Sequence, residues 1–299
     1  MKRVVIARGT RTTAIAHQLV GAGVLRSALM FDAMAHWDGV ASRLQAGEYD
    51  FSPSMSTLQI LARIANGDVI TYRITVPDGS DVAQIARIVA AAGLWSQKQM
   101  LAAAKDRSLV AQWVPAGAPV RYPVEGYLYP DTYTFTRSDT PHDVLATMVA
   151  DFQRLAGPML SQAAAKGLTV NQWVTLASMV EREAATPTDQ AGVAAVFLNR
   201  LKIGMPLQSD PTVLYAVGQT GGELTAADLA VASPYNTYHT AALPPGPIAS
   251  PDVTALNAVL HPADTTALYF IAKPDGKLLF AKTYAQQLAN EQEYLRPAG

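Results

Sequence analysis

Glu181 and Glu183 close an apolar stretch, LASMVEREAAT, and a loop bearing Gln208 and Asp210, GMPLQSDPT, follows within one more helical segment. Carboxyls that finish an apolar helix beside an amide-bearing loop point to acid/base chemistry on a polar, uncharged substrate, and so to a sugar polymer. With residues about 100° apart, Trp173, Leu176, Ala177 and Val180 form one buried stripe with Arg182 opposite. Glu181 and Glu183 fall on its two flanks, each roughly 70 to 90° from the centre. Either could line a cleft. Thr186 and Pro187 stop the helix, so Glu183 lies in its last turn, where the helix dipole disfavours an anion and raises the carboxyl's pKa. A carboxylic acid protonated near neutrality is what a general acid requires, which makes Glu183 the first choice and Glu181 the runner-up.

Three further segments offer polar and aromatic groups. In GMPLQSDPT, Gly204 and Pro206 force a turn. The Gln208 amide can both donate to and accept from sugar hydroxyls or an N-acetyl group, and Asp210 is either a groove residue or a helix N-cap. SPYNTYHTAALPPGPIASP gathers Tyr235, Asn236, Tyr238 and His239 beside a proline-rich stiffener. Aromatic faces stack on sugar rings while an asparagine reads their polar edges, although a Tyr-rich loop can equally pack on its own domain. VEGYLYPDTYTF, residues 124–135, places Glu125 and Asp131 among aromatics, as a cleft wall or as an interdomain strand and turn. His239 and His261 lack metal-ligand spacing and have no companion cysteine, so no metal or other cofactor is expected. No G-x-S-x-G, Walker loop or dinucleotide glycine motif is present, which argues against serine hydrolases and nucleotide enzymes.

The elements that position these residues fall into two regions. Residues 4–25 align without a gap to residues 74–95, sharing Gly9/Gly79, Ile15/Ile85, Ala16/Ala86, Ala22/Ala92 and Gly23/Gly93. Each copy predicts strand, turn and helix, with Ser80 as a cap and Gly23 and Gly93 as stops. A strand over 48–51 and a helix over 57–65 lie between the copies. A helical stretch over 97–114 follows, and the Pro/Gly-rich segment 115–123 marks a domain junction. Thereafter helices dominate, over 142–155, 170–183, 190–202, 212–217 and 253–260. A hairpin then turns at Pro274-Asp275-Gly276, and a final helix spans 286–295. The expectation is an α+β chain with domains at 1–120 and 121–299. Charged residues make up 16% and the net charge is −1, so the whole-chain balance points neither to nucleic acid nor to an anionic membrane surface. With no cysteine, disulfides and thiolate chemistry are excluded.

Taken together, VEGYLYPDTYTF, LASMVEREA, VFLNRLKIGMPLQSDPTVLYAVG, SPYNTYHTAALPPGPIASP and LYFIAKPDGKLLFAKT resemble the YceG-like family, the endolytic murein (peptidoglycan) transglycosylases, over nearly the whole chain. The resemblance implies a small LysM-like N-terminal region, matching the βα repeat, and a mainly helical lytic-transglycosylase-like catalytic domain ending in the hairpin. It implies cleavage of the β-1,4 bond between N-acetylmuramic acid and N-acetylglucosamine with a 1,6-anhydro end, which sets strand length. It maps the single catalytic acid/base to Glu183 in VEREA, the groove glutamine to Gln208, and N-acetyl contacts to Asn236 and Tyr238. Tyr235, Glu125 and Asp210 are the remaining candidates along the glycan. Implied partners are glycan strands and cell-wall synthases, at the periplasmic face of the inner membrane. The family's usual membrane anchor is absent from this chain and is expected upstream. A non-catalytic peptidoglycan-binding module and a lysozyme-type hydrolase are the competing readings.

Overall fold

The computed structural model describes residues 1–294 of the 299 and shows a mixed α and β protein, as the α+β expectation has it. Among the described residues there are three two-stranded sheets, β1 with β2, β3 with β4 and β5 with β6.

The N-terminal repeat extends beyond the aligned residues. Strand β1 (Lys2–Ile6) leads to helices α1 (Thr12–Gly21) and α2 (Ala28–Trp37) and returns as β2 (Gly47–Phe51). β1 and β2 pair antiparallel, with Val4 opposite Tyr49. After α3 (Thr57–Asn66) the order recurs, as β3 (Thr71–Thr75), α4 (Val82–Ala91), α5 (Gln97–Ala103) and β4 (Thr132–Thr136). Gly9 and Gly79 both have positive φ, +78° and +68°, at the strand-to-helix turn that only glycine enters without strain. The α4 cap is Asp81 rather than Ser80. Asp81 Oδ1 accepts from Gln84 N at 2.6 Å, while Ser80 turns inward to donate to the Pro77 carbonyl at 2.7 Å. The single helix expected over 97–114 stops after α5 and resumes only as a short 3-10 turn at Ser108–Val110, where Asp106 accepts from the Ser108 amide.

The remaining helices are α6 (Pro141–Ala156), α7 (Leu160–Ala165), α8 (Val170–Glu183), α9 (Pro187–Lys202), α10 (Asp210–Val217), α11 (Ala226–Leu229), α12 (Val253–Leu260) and α13 (Tyr284–Tyr294). Strands β5 (Tyr269–Ala272) and β6 (Leu278–Ala281) form the predicted hairpin, with Phe270 opposite Phe280. The expected end of the last helix, Leu295, lies outside the described residues. No helix among the described residues is long and apolar enough to cross a membrane.

Contacts divide the chain into two compact units, each discontinuous. The first comprises 1–74, 89–96 and 132–144, and the second 75–88, 97–131 and 145 onward, so the division is not a single cut near residue 120. In the first unit Ile6, Leu19, Phe31, Tyr49, Phe51 and Ile60 share one core. In the second, α8 is central. Residues Trp173 to Val180 are all buried, and Trp173 Nε1 donates to the Leu256 carbonyl of α12 at 2.9 Å. Helix α9 meets the hairpin through Gly192, where a Cβ would stand 2.3 Å from Phe280 Cζ.

Candidate active site

Helix α8 is fixed at both ends. Thr169 and Gln172 form a reciprocal capping box at its start, and Ala184 leaves the helical region directly after Glu183, the last helical residue. Thr186 and Pro187 then begin α9. The helical arithmetic places the two glutamates on opposite flanks, and the structure gives each a separate environment.

Glu183 lines a cavity of about 350 Å³ together with Gln208, Asp210 and Tyr238. Its Oε1 accepts from the Ser209 hydroxyl at 2.6 Å. The carboxyl pKa is pushed up to about 7, above all by burial, with Asp210 adding to the rise while the Ser209 hydrogen bond and the Arg182 and Arg200 charges oppose it. Burial is thus the chief cause of the rise.

Glu181 turns towards α12, where its Oε2 accepts from the Asp252 amide at 3.3 Å, and it is not among the residues lining the cavity. Its pKa is also raised, to about 8, by burial first and then by Asp252 and Asp78. An elevated pKa alone does not separate the two carboxyls. Position does.

The loop before α10 is held under tension. Gln208 has φ +50°, the only positive φ of a non-glycine residue among those described, at a cost of about 1 kcal/mol. Its backbone N–H donates to Thr237 O at 3.1 Å, and Ser209 N donates to Thr237 Oγ1 at 3.0 Å. Arg200 Nη1 donates to Gln208 Oε1 at 3.2 Å and to the Leu207 carbonyl at 2.9 Å. Ser209, not Asp210, occupies the N-cap position of α10, yet its side chain makes no cap bond, being committed to Glu183. Asp210 is the first residue of the helix, and its Oδ1 accepts from the Tyr238 hydroxyl at 2.5 Å.

Three expected site residues lie elsewhere. Asn236 is fully buried. Its amide nitrogen donates to the carbonyls of Leu229 and Val231, and its oxygen accepts from Tyr238 N, so its polar atoms shape the loop rather than facing a ligand. Tyr235 is 5% exposed and packs against Tyr215, with ring centroids 4.9 Å apart. Glu125, 2% exposed, accepts from Val82 N at the start of α4 and from the Tyr215 hydroxyl, both at 3.0 Å, and burial raises its pKa to about 8. None of the three lines the Glu183 cavity.

Sequence reasoning missed other members of the wall. Arg200 left a signal, a cation at the i+7 position of the apolar stripe Val193, Val196, Phe197. Ser209, which does not line the cavity but bonds Glu183, stands between two residues already chosen. Tyr269 from β5 and Gln287 and Glu291 from α13 also line the cavity and carried no motif that pointed to it. Gln287 Nε2 donates to Glu291 Oε1 at 3.0 Å, while its own Oε1 is buried without a partner. Among the described residues, no cluster of His, Cys, Asp or Glu is placed to hold a metal ion.

The arrangement amounts to a carboxyl of raised pKa, an amide and a Tyr–Asp pair around a polar hollow. A model of the YceG-like family matches residues 4–293. The chain belongs to the YceG-like family. Among its YceG-like relatives, a Bacillus subtilis (strain 168) protein named endolytic murein transglycosylase is 34% identical over 302 residues, covering 97% of this chain and 84% of that one. A Streptococcus pneumoniae (serotype 2, strain D39) protein of the same name is 32% identical over 318 residues, and that match spans 97% of this chain but 58% of the pneumococcal one. The crystal structure of a YceG-like protein from Listeria monocytogenes, 31% identical, superposes with a TM-score of 0.69 and covers 97% of this chain and all of that one.

Proposed function

We propose that this YceG-like protein is an endolytic lytic transglycosylase of peptidoglycan, with Glu183 as its single acid and base. The observation that carries the reading is the placement of Glu183, a carboxyl with a pKa of about 7, in the cavity that also holds Gln208, Asp210 and Tyr238. The names of the Bacillus and pneumococcal relatives supply the substrate.

Ser209 occupies Oε1, so the transferable proton resides on Oε2. That proton passes to the glycosidic oxygen as the bond from muramyl C1 to that oxygen breaks, leaving an oxocarbenium-like sugar and a Glu183 carboxylate. The muramyl C6 hydroxyl then attacks C1 and gives its proton to Glu183, which regenerates the acid and closes a 1,6-anhydro ring. No water is consumed, so no second carboxylate is required. Gln208 and Tyr238 would hold the sugar's polar groups, and cutting within strands would set their length. The two βααβ units, the second closing with β4 at Thr132–Thr136, are read as LysM-like glycan grips, and the helical remainder as a lytic-transglycosylase-like domain. Action at the periplasmic face of the inner membrane, beside cell-wall synthases, belongs to the same reading.

On purified murein, Glu183→Gln is expected to lower release of anhydro products by about a thousandfold or more while sedimentation with sacculi persists. Cleavage at the parental rate would remove the assignment and return Glu181 or a non-catalytic binding role to the front. One observation favours a second reading. Asp210 places another carboxylate in the cavity, as a hydrolase of the lysozyme type needs. Product mass distinguishes them, because anhydro ends are one water lighter than reducing ends.

A further inference from the structure

Helix α2 departs from the pattern of an exposed helix. Its inward residues Phe31 and Ala35 are fully buried in the first unit. At about 100° per residue Leu29, Ala33, Trp37 and Met30 share roughly a third of the circumference on the other side. Leu29 is 81%, Met30 58% and Trp37 91% exposed, with His36 the one polar residue of that arc. Exposed helices turn polar residues outward, and apolar side chains gathered on one strip mark a surface made to be covered.

The local charge indicates what covers it. Although the whole chain carries a net charge of −1, the residues up to Gln45 include Lys2, Arg3, Arg8, Arg11, Arg26 and Arg43 against only Asp32 and Asp38. Arg3 and Arg8 pair with Asp50 and Asp139. Lys2, Arg11, Arg26 and Arg43 are exposed and lack a carboxylate partner among the described residues. Arg26 lies just before the Leu29 end of the strip, and the Lys2 ammonium rests against Gly23 in the same turn. Arg43 closes a 3-10 turn, Ala41–Arg43, that packs on α2 and follows the Trp37 end.

We propose that this face of α2 docks on an anionic lipid bilayer, with Leu29, Met30 and Trp37 entering the acyl boundary and the flanking cations meeting lipid phosphates. Apolar side chains flanked by free cations, with a tryptophan among them, are the chemistry of a helix lying in a bilayer interface. A second copy of the chain would bring the same cations face to face, and a neutral sugar ring would use Trp37 but leave Leu29 and Met30 without a counterpart. The contact is separate from the glycan cavity and does not depend on Glu183.

The test is sedimentation of the full chain with vesicles of phosphatidylcholine alone and of phosphatidylcholine with equimolar phosphatidylglycerol. Binding to the anionic vesicles is expected, weakening as salt rises. Leu29→Glu and Trp37→Glu should each reduce vesicle affinity by about tenfold or more. Arg26→Glu combined with Arg43→Glu should abolish the preference for phosphatidylglycerol. All of these variants should keep the parental melting temperature. Failure of the parent to pellet with anionic vesicles overturns the proposal, as does a Trp37→Glu variant that binds as the parent does. A concentration-dependent dimer dissolved by Trp37→Glu would assign the face to a second copy, and loss of sacculus pelleting with vesicle binding intact would assign it to glycan. Either result defeats the bilayer contact, and none of them bears on the Glu183→Gln outcome.

Discussion

Ser209 sets the state of the Glu183 carboxyl. Its hydrogen bond stabilises the ionised form and holds the pKa below what burial alone would give. Ser209→Ala is therefore expected to move the alkaline limb of the pH–rate profile upward, and Ser209→Thr, which keeps the hydroxyl, to restore it. In the parent, activity should fall as pH climbs through about 7, because the proton-bearing acid is lost. The neighbouring Gln208 makes a different prediction. Its φ of +50° suits glycine, so Gln208→Gly should unfold within about 1 kcal/mol of the parent in chemical denaturation, while turnover drops with the amide gone. Gln208→Val, β-branched, should cost about 2 kcal/mol more. At this scale the sequence exposed residue types but not orientations. Glu183, Gln208, Asp210 and Tyr238 were recognisable and converge. Asn236 resembled a ligand reader because an asparagine that folds its own loop has the same letter as one that faces a groove.

Among the elements, regular periodicity decided what was legible. Helices α8 and α12 fall on the residues that the apolar stripe predicted, 170–183 and 253–260, and the β5–β6 hairpin turns where Pro274-Asp275-Gly276 placed it. Helix α9 begins three residues before its expected start, because Pro187 fits the first helical turn and Thr186 caps it. Helix α2 escaped notice because its buried and outward faces are both apolar, with only Asp32 and His36 marking a polar edge between them. Strand β4 was hidden in a segment with two open readings. Arg200 shows why the cavity wall was only partly foreseeable. Its guanidinium ties α9 to two segments, donating to the Leu268 carbonyl beside β5 and, in the 206–208 loop, to the Pro206 and Leu207 carbonyls and to Gln208. Arg200→Leu is expected to destabilise the protein by about 3 kcal/mol, read from chemical denaturation, because buried carbonyls lose their donors. Arg200→Lys should rescue little of this, since an ammonium cannot reproduce the planar fork.

For the molecule as a whole, three carboxyls of raised pKa, Glu125 buried and Glu181 and Glu183 half-buried, shape the response to pH. Glu125 and Glu181 are raised to about 8 and Glu183 to about 7, each chiefly by burial. Groups whose folded pKa exceeds the unfolded value bind more protons in the native state, so their stabilisation is complete below the ordinary carboxylate range and is lost as pH rises through 7 to 8. The melting temperature should accordingly decline from about pH 5 to about pH 8.5, and Glu125→Gln should flatten that slope. Asp143, Asp228 and Asp275 have lowered pKa values and act in the opposite sense, their contribution fading only as pH falls into the acid range. Composition was informative at this scale, but averaging concealed structure. A net charge of −1 gave no hint of the cations at either end of α2, and an alignment of 22 residues showed only the first half of a strand–helix–helix–strand repeat.

The wall around Glu183 takes residues from β5 and α13, near the end of the described chain. During synthesis, Glu183 emerges long before Tyr269, Gln287 and Glu291 exist to enclose it. Until they arrive it is an ordinary glutamate, ionised at neutral pH and with no proton to give. If Glu183 is the acid, a chain cut before β5 is expected to release no anhydro product from murein.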